Sequence, residues 1–249
     1  QSQFEAAASD FTEAIERQPH DADAHAWRAA ARAGLEQYRG AIDDVAQAVE
    51  LQPARAGEYQ PIGQSAAETA VPHLSQAIAS EPQQATLYRD RGAAYEFLGR
   101  GTEALSDYNM AIQLAPEDAD AYVRRGKLLW RAGKFDRALY DFNQAIERGD
   151  QRAVSFHHRG VCQARLGNPT EAIEDLDKAI ELDPADGRAY RDRGEVYAAL
   201  GQLSDAESDF STAIGKNRQD ARAHFGRGYL HSLQRRYEAA VQDYSTAIR

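Results

Sequence analysis

Cys162 stands four residues after His158, so on a helix the two share a face at the spacing that can begin a zinc site. No third or fourth ligand follows, and a small buried Cys is the commoner case. His157 and His158 are neighbours, and adjacent helical residues point about 100° apart. No Ser or Cys nucleophile with a base and an orienting acid can be assembled from the spacing. A Walker loop, an HExxH pair and a Gly-rich dinucleotide turn are all missing. These residues therefore indicate no catalysis, no cofactor and no metal.

A more regular pattern is Arg before Gly at Arg91, Arg125, Arg159, Arg193 and Arg227, each 34 residues apart. Such a series suggests a ladder of anion-binding guanidiniums. A second ladder argues for structure instead: Asp10, Asp44, Asp107, Asp141, Asp175, Asp209 and Asp243. Where Ile62 replaces the Arg, His73 replaces the Asp, so both are lost together. The joint loss predicts bidentate Arg–Asp pairs between helices, since a partly buried Arg needs a carboxylate.

The elements that must position these residues repeat along the chain. Ala followed by Ile or Val recurs with its Ala at 14, 48, 77, 111, 145, 179, 213 and 247, spaced by 34 except for one interval of 29. A second Ala lies seven residues before each. In 187–220, Tyr190, Gly194, Tyr197 and Ala198 share one helical face, Gly201 caps that helix, and Ala206, Phe210, Ala213 and Ile214 form the stripe of a second. Pro19, Pro53, Pro82, Pro116 and Pro184 close second helices.

This 34-residue helix–turn–helix, with its aromatic, Gly, Ala and Pro positions, resembles the tetratricopeptide repeat over essentially the whole chain. The resemblance implies an all-α solenoid: a right-handed superhelix of antiparallel helix pairs in a single domain, 1–249. Residues 1–21 read as the second helix of a preceding repeat. Repeats follow at 22–55, 56–84 (shortened), 85–118, 119–152, 153–186, 187–220 and 221–249. The missing residues of 56–84 fall near its interhelix turn, and Pro61 and Pro72 must sit in first turns or break their helices. Weaker stacking, a hinge or an omitted loop is expected there.

In the family, the first helix of each repeat lines a concave groove. Carried onto this sequence, its ligand-facing places hold Arg89, Arg124, Lys127, Trp130, Arg131, His157, His158, Arg165, Arg188 and Arg191. Further along they hold Arg222, Phe225 and Tyr229. A basic, partly aromatic strip in a chain of net charge −10 suits an acidic or carboxylate-bearing peptide, with Trp130 as anchor. A solvated mixed-charge face, with Trp130 packed between repeats, is the alternative. The Asn residues of the family's carboxylate clamp and of its long Asn ladder are absent from those places.

The charge also disfavours nucleic acid. A single Cys excludes an internal disulfide, and no apolar run approaches the ~20 residues of a membrane span. The 25 Arg against 4 Lys read as the composition of a GC-rich bacterial genome. The chain opens at Gln1 without an initiator Met, so a targeting segment is expected to lie out of view, and the cytoplasm is the favoured compartment. Both ends leave helical faces without neighbours, which predicts flanking protein or self-association. The function read from all this is a non-catalytic protein–protein interaction scaffold that holds a peptide in its groove. The second reading is a regulatory or targeting domain of a larger enzyme.

Overall fold

The computed structural model describes residues 2–248. Within them the chain is all-α. The helices are α1 (Ser2–Arg17), α2 (Ala22–Gly34), α3 (Tyr38–Leu51), α4 (Ala56–Ser80), α5 (Ala85–Phe97), α6 (Gly101–Leu114) and α7 (Ala119–Arg131). After these come α8 (Phe135–Glu147), α9 (Ala153–Arg165), α10 (Pro169–Leu182), α11 (Gly187–Ala199), α12 (Leu203–Lys216), α13 (Ala221–Leu233) and α14 (Tyr237–Ala247). A single 3-10 turn, Pro53–Arg55, precedes α4. The chain forms two compact units, 1–124 and 125–249, with the boundary inside α7.

In the second unit, the small residues let helix backbones meet. A Cβ at Gly160 would lie 3.0 Å from the Ala172 carbonyl oxygen and 3.0 Å from Leu176 Cγ, so even Ala would crowd the α9–α10 contact. Phe142, Leu176 and Phe210 are buried and fill the space beside the small residues. Ala189 and Val196 of α11 join the apolar cluster of α9 and α10, and Ala223 and Leu230 of α13 join that of α11 and α12. Each first helix thus completes the core of the preceding pair.

The two ladders pair in both units. Arg159 donates from Nε and Nη2 to Asp175 at 2.7 and 2.6 Å. Arg193 and Asp209 repeat this at 2.8 and 2.7 Å, and Arg227 and Asp243 at 2.9 and 2.7 Å. In the first unit, Arg28 forks onto Asp44 and Arg91 onto Asp107. The remaining nitrogen, Nη1, reaches back to the preceding second helix. Its acceptors are Thr12 for Arg28, Ser75 for Arg91, Asn143 for Arg159, Asp177 for Arg193 and Ser211 for Arg227. One guanidinium therefore ties three helices together.

The shortened repeat departs from the expected helix–turn–helix. Residues 56–80 form one helix with Pro61 and Pro72 inside it. The shortening removes the turn itself. Tyr59, Gly63, Ala66, Ala67 and Ala70 then run as one buried stripe at helical spacing. Each interior Pro removes a backbone hydrogen bond. Packing offsets that loss: a Cβ at Gly63 would overlap the Phe97 ring, and Tyr59 donates to Asp23 of α2 at 2.9 Å.

One helix in place of two changes which helices meet. α3 reads as a second helix, yet it also reaches α5, where Arg39 lies 3.2 Å from Asp90.

Gly99, Gly133, Gly167 and Gly201 end their first helices with φ between +70° and +85°, the left-handed conformation that Gly adopts without steric cost. Glu36 and Arg235 hold the same place in the first and last repeats at φ 60°. Arg235→Gly should therefore raise stability by about 1 kcal/mol in urea unfolding. Pro72→Ala should stabilise by about 1–3 kcal/mol if α4 is continuous. An unchanged or lower midpoint for the latter would mean that a turn interrupts 56–80.

Candidate functional site

In the first unit, the predicted ligand-facing arginines are engaged within the protein. Arg89 donates to Asp118 at 2.5 Å, while Asp118 accepts the Asp120 amide at 3.1 Å at the start of α7. Arg124 grips Asp43 of α3 with both terminal nitrogens, at 3.0 and 2.8 Å, and gives its Nε to Asp120 at 3.0 Å. Arg39, one turn before Asp43, pairs with Asp120 as well as Asp90.

Burial pushes the Asp90 carboxyl up, and the nearby Arg39, Arg89 and Arg124 offset this only in part. For Arg124 burial pulls the other way, but the charges of Asp43 and Asp120 outweigh it and keep the guanidinium firmly protonated. Arg39 and Asp43 were not among the sequence candidates because they sit on a second helix. The 29-residue interval is the sequence signal at this point, since the missing turn lets α3 reach α5.

In the second unit, a buried polar seam crosses four helices. The Trp130 ring of α7 stands edge-on to His158 of α9, with centroids 4.8 Å apart. His158 donates from Nδ1 to the Val154 carbonyl at 2.7 Å. Burial holds it neutral, reinforced by the charges of His157, Lys127 and Arg131. His157 Nε2 donates to Asp192 of α11 at 2.7 Å.

Burial would raise the Asp192 carboxyl, but His157 and Arg191 outweigh it and hold it well below the usual carboxylate range. Arg191 bridges Asp192 and Asp220, each at 3.0 Å, and Asp220 caps α13 by accepting the Ala223 amide. Arg188 turns onto Asp186 at 2.8 Å.

The site residues thus divide by environment. Arg89, Arg124, His157, His158, Arg188 and Arg191 spend polar atoms on internal partners. Arg131 and Arg165, at equivalent places on α7 and α9, are exposed, and Lys127 and Trp130 are half-buried. Trp130 Nε1 is buried with no hydrogen-bond acceptor among the described residues. The last first helix presents Phe225 and Tyr229, 61% and 50% exposed. Phe225 holds the place that His157 and Arg191 occupy in earlier repeats, where the next first helix buries them.

Cys162 is fully buried, and burial pushes its thiol up to about 12. Among the described residues no group of three or more His, Cys, Asp or Glu is placed to hold a metal, and no helix is long and apolar enough to cross a membrane.

A search of curated protein sequences finds no match. Solved structures do match. The chain is similar to YrrB, described as a TPR protein with an unusual peptide-binding site, at TM-score 0.60 and 24% identity, covering 70% of this chain and 90% of that one. It is similar to MamA from Desulfovibrio magneticus RS-1 (41-end) at TM-score 0.60 and 20% identity, covering 66% and 93%. It also matches a chain in the APC/C hetero-tetramer Cut9–Hcn1 at TM-score 0.63 and 15% identity, over 96% of this chain and 48% of that one. The family model described as Tetratricopeptide repeat matches residues 1–58, 64–119, 98–153, 123–187, 159–210 and 191–249. With that model laid across the whole chain, and with the Arg–Asp forks and small-residue contacts recurring every 34 residues, this protein belongs to the tetratricopeptide repeat family.

Proposed function

We propose that this protein is a non-catalytic interaction scaffold that holds an acidic or carboxylate-bearing peptide on the inner face of α7, α9 and α11. The observation that carries the reading is the Trp130–His158 ring pair, whose imidazole feels the positive charges of Lys127 and Arg131. It places cationic charge beside an aromatic ring in a chain whose formal net charge is −10. A carboxylate there gains from the local positive field, and Trp130 offers the large, rigid surface typical of binding hot spots. The peptide-binding site named for YrrB supports the class of ligand.

The competing explanation for Arg131 and Arg165 is local. Both lie in the last turn of a helix, where a cation complements the helix dipole by roughly 0.3–1 kcal/mol. Binding separates the two. A fluorescein-labelled hexaglutamate peptide, followed by anisotropy at low salt, should bind the wild type. Arg131→Glu/Arg165→Glu should weaken it at least tenfold with circular dichroism unchanged. Equal affinity in both would remove the ligand from this face.

We also infer self-association through the terminal faces. Ile146, Ile180 and Ile214 pack into apolar clusters, whereas Ile248, at the same place in the last repeat, is 86% exposed and Val241 is 63% exposed. Sedimentation equilibrium should show a concentration-dependent dimer that Val241→Glu abolishes. A monomer at all concentrations would overturn this reading.

A further inference from the structure

We propose that Arg124 heads a second carboxylate-binding site, in the first unit, which Asp43 of α3 fills in cis and so masks. The inference rests on the reading of this protein as a binder of carboxylate-bearing peptides and adds a regulatory contact to it.

The geometry is that of a bound ligand. Arg124 stands at the sixth place of its repeat, among the ligand-facing places that the family resemblance implies. A bidentate fork is the way guanidinium takes up a free carboxylate, and both oxygens of Asp43 are held in it, at 3.0 and 2.8 Å. This partner comes from 81 residues earlier in the chain. It can reach only because α4 is a single helix, which brings α3 beside α5.

Arginines of the regular repeats follow two other pairing patterns. Arg91, Arg159, Arg193 and Arg227 take their Asp from the second helix of their own repeat, sixteen residues on. Arg89 and Arg191 take Asp118 and Asp220, each twenty-nine residues on. The Arg124–Asp43 pair belongs to neither pattern.

Within the pair, the carboxylate is the more solvent-exposed partner. The Arg124 side chain is 17% exposed, while the Asp43 side chain above it is 39% exposed. Arg39 is 30% exposed and faces Asp43, Asp90 and Asp120. With Asp43 in place, the cluster of Arg39, Arg89 and Arg124 faces Asp43, Asp90, Asp118 and Asp120, so acids outnumber bases and an incoming anion is repelled. With the Asp43 carboxylate withdrawn, Arg124 keeps Asp120 on its Nε and the Tyr108 hydroxyl beside it, and the two bonds of its terminal nitrogens to Asp43 are released. A glutamate or aspartate side chain, or a chain-terminal carboxylate, restores both hydrogen bonds without adding net charge to the original cluster.

The test is binding of the same labelled hexaglutamate to wild type, Asp43→Ala and Asp43→Ala/Arg124→Gln. Asp43→Ala should bind at least tenfold more tightly than wild type, and Arg124→Gln should remove the gain. Asp43→Asn, which keeps the side-chain shape, should give a smaller gain of the same sign and guards against loss of fold in the alanine variant. Wild-type binding with no gain in either Asp43 variant, each folded by circular dichroism, would overturn the masked site and leave the second-unit reading intact. No binding by any variant would overturn both. A gain in Asp43→Ala that survives Arg124→Gln would place the uncovered site elsewhere and overturn this assignment.

Discussion

A half-buried guanidinium must be met by a carboxylate, and much of this architecture follows from that constraint. Arg is tolerated in the helix contacts because its fork is filled by an Asp on the second helix of the same repeat and its last nitrogen by a polar group on the helix before. Breaking such a pair strands a buried charge and costs about 3–5 kcal/mol where the pair is fully buried. The exposed edge of these pairs lowers that figure. The pairing gives register as well as stability. Two residues after Asp10, Asp141, Asp175 and Asp209 stands the acceptor for the next Arg, so a helix slipped by one residue there would lose both partners at once.

The same constraint explains what happens at the shortened repeat. With Ile62 and His73 at the ladder positions, nothing there demands two helices at a fixed separation, and α4 runs straight through. Ser75 stays, and it still receives Nη1 of Arg91. The ladder is thus broken within the repeat and preserved toward the next one. The cost moves to α3. Its Arg39 and Asp43, which on an outer helix would be solvated, meet Asp90, Asp120 and Arg124 and are neutralised there.

The fold was legible because its signals are periodic. Ala at 104 and 111, Gly at 92 and Arg at 91 recur at 34-residue intervals, and each recurrence constrains the others. The fusion of 56–80 was less legible: Pro61 and Pro72 argue locally for breaks, while the stripe from Tyr59 to Ala70 argues for continuity, and only packing decides. For the ligand-facing residues, the sequence places them on a helix face but says nothing of partners arriving from elsewhere. Arg124 and Asp43 lie 81 residues apart in the chain, so no local spacing connects them. His157 illustrates the same limit. Its partner Asp192 is one repeat plus one residue away, a pairing that only the stacking of α9 against α11 defines.

Internal pairing also bears on selectivity. A face lined by unpaired arginines would bind any anion and would pay for its own folding in charge repulsion. Here most inner cations are already satisfied by Asp, so a ligand gains only where it restores a hydrogen bond that the protein has given up or meets a charge still exposed to water. In the function proposed above, Arg131 and Arg165 would offer the second kind of gain, and Arg124 beneath Asp43 the first. A peptide that used either would be chosen for the spacing of its carboxylates and not for its total charge, because a displaced internal Asp must be replaced at the same two nitrogens.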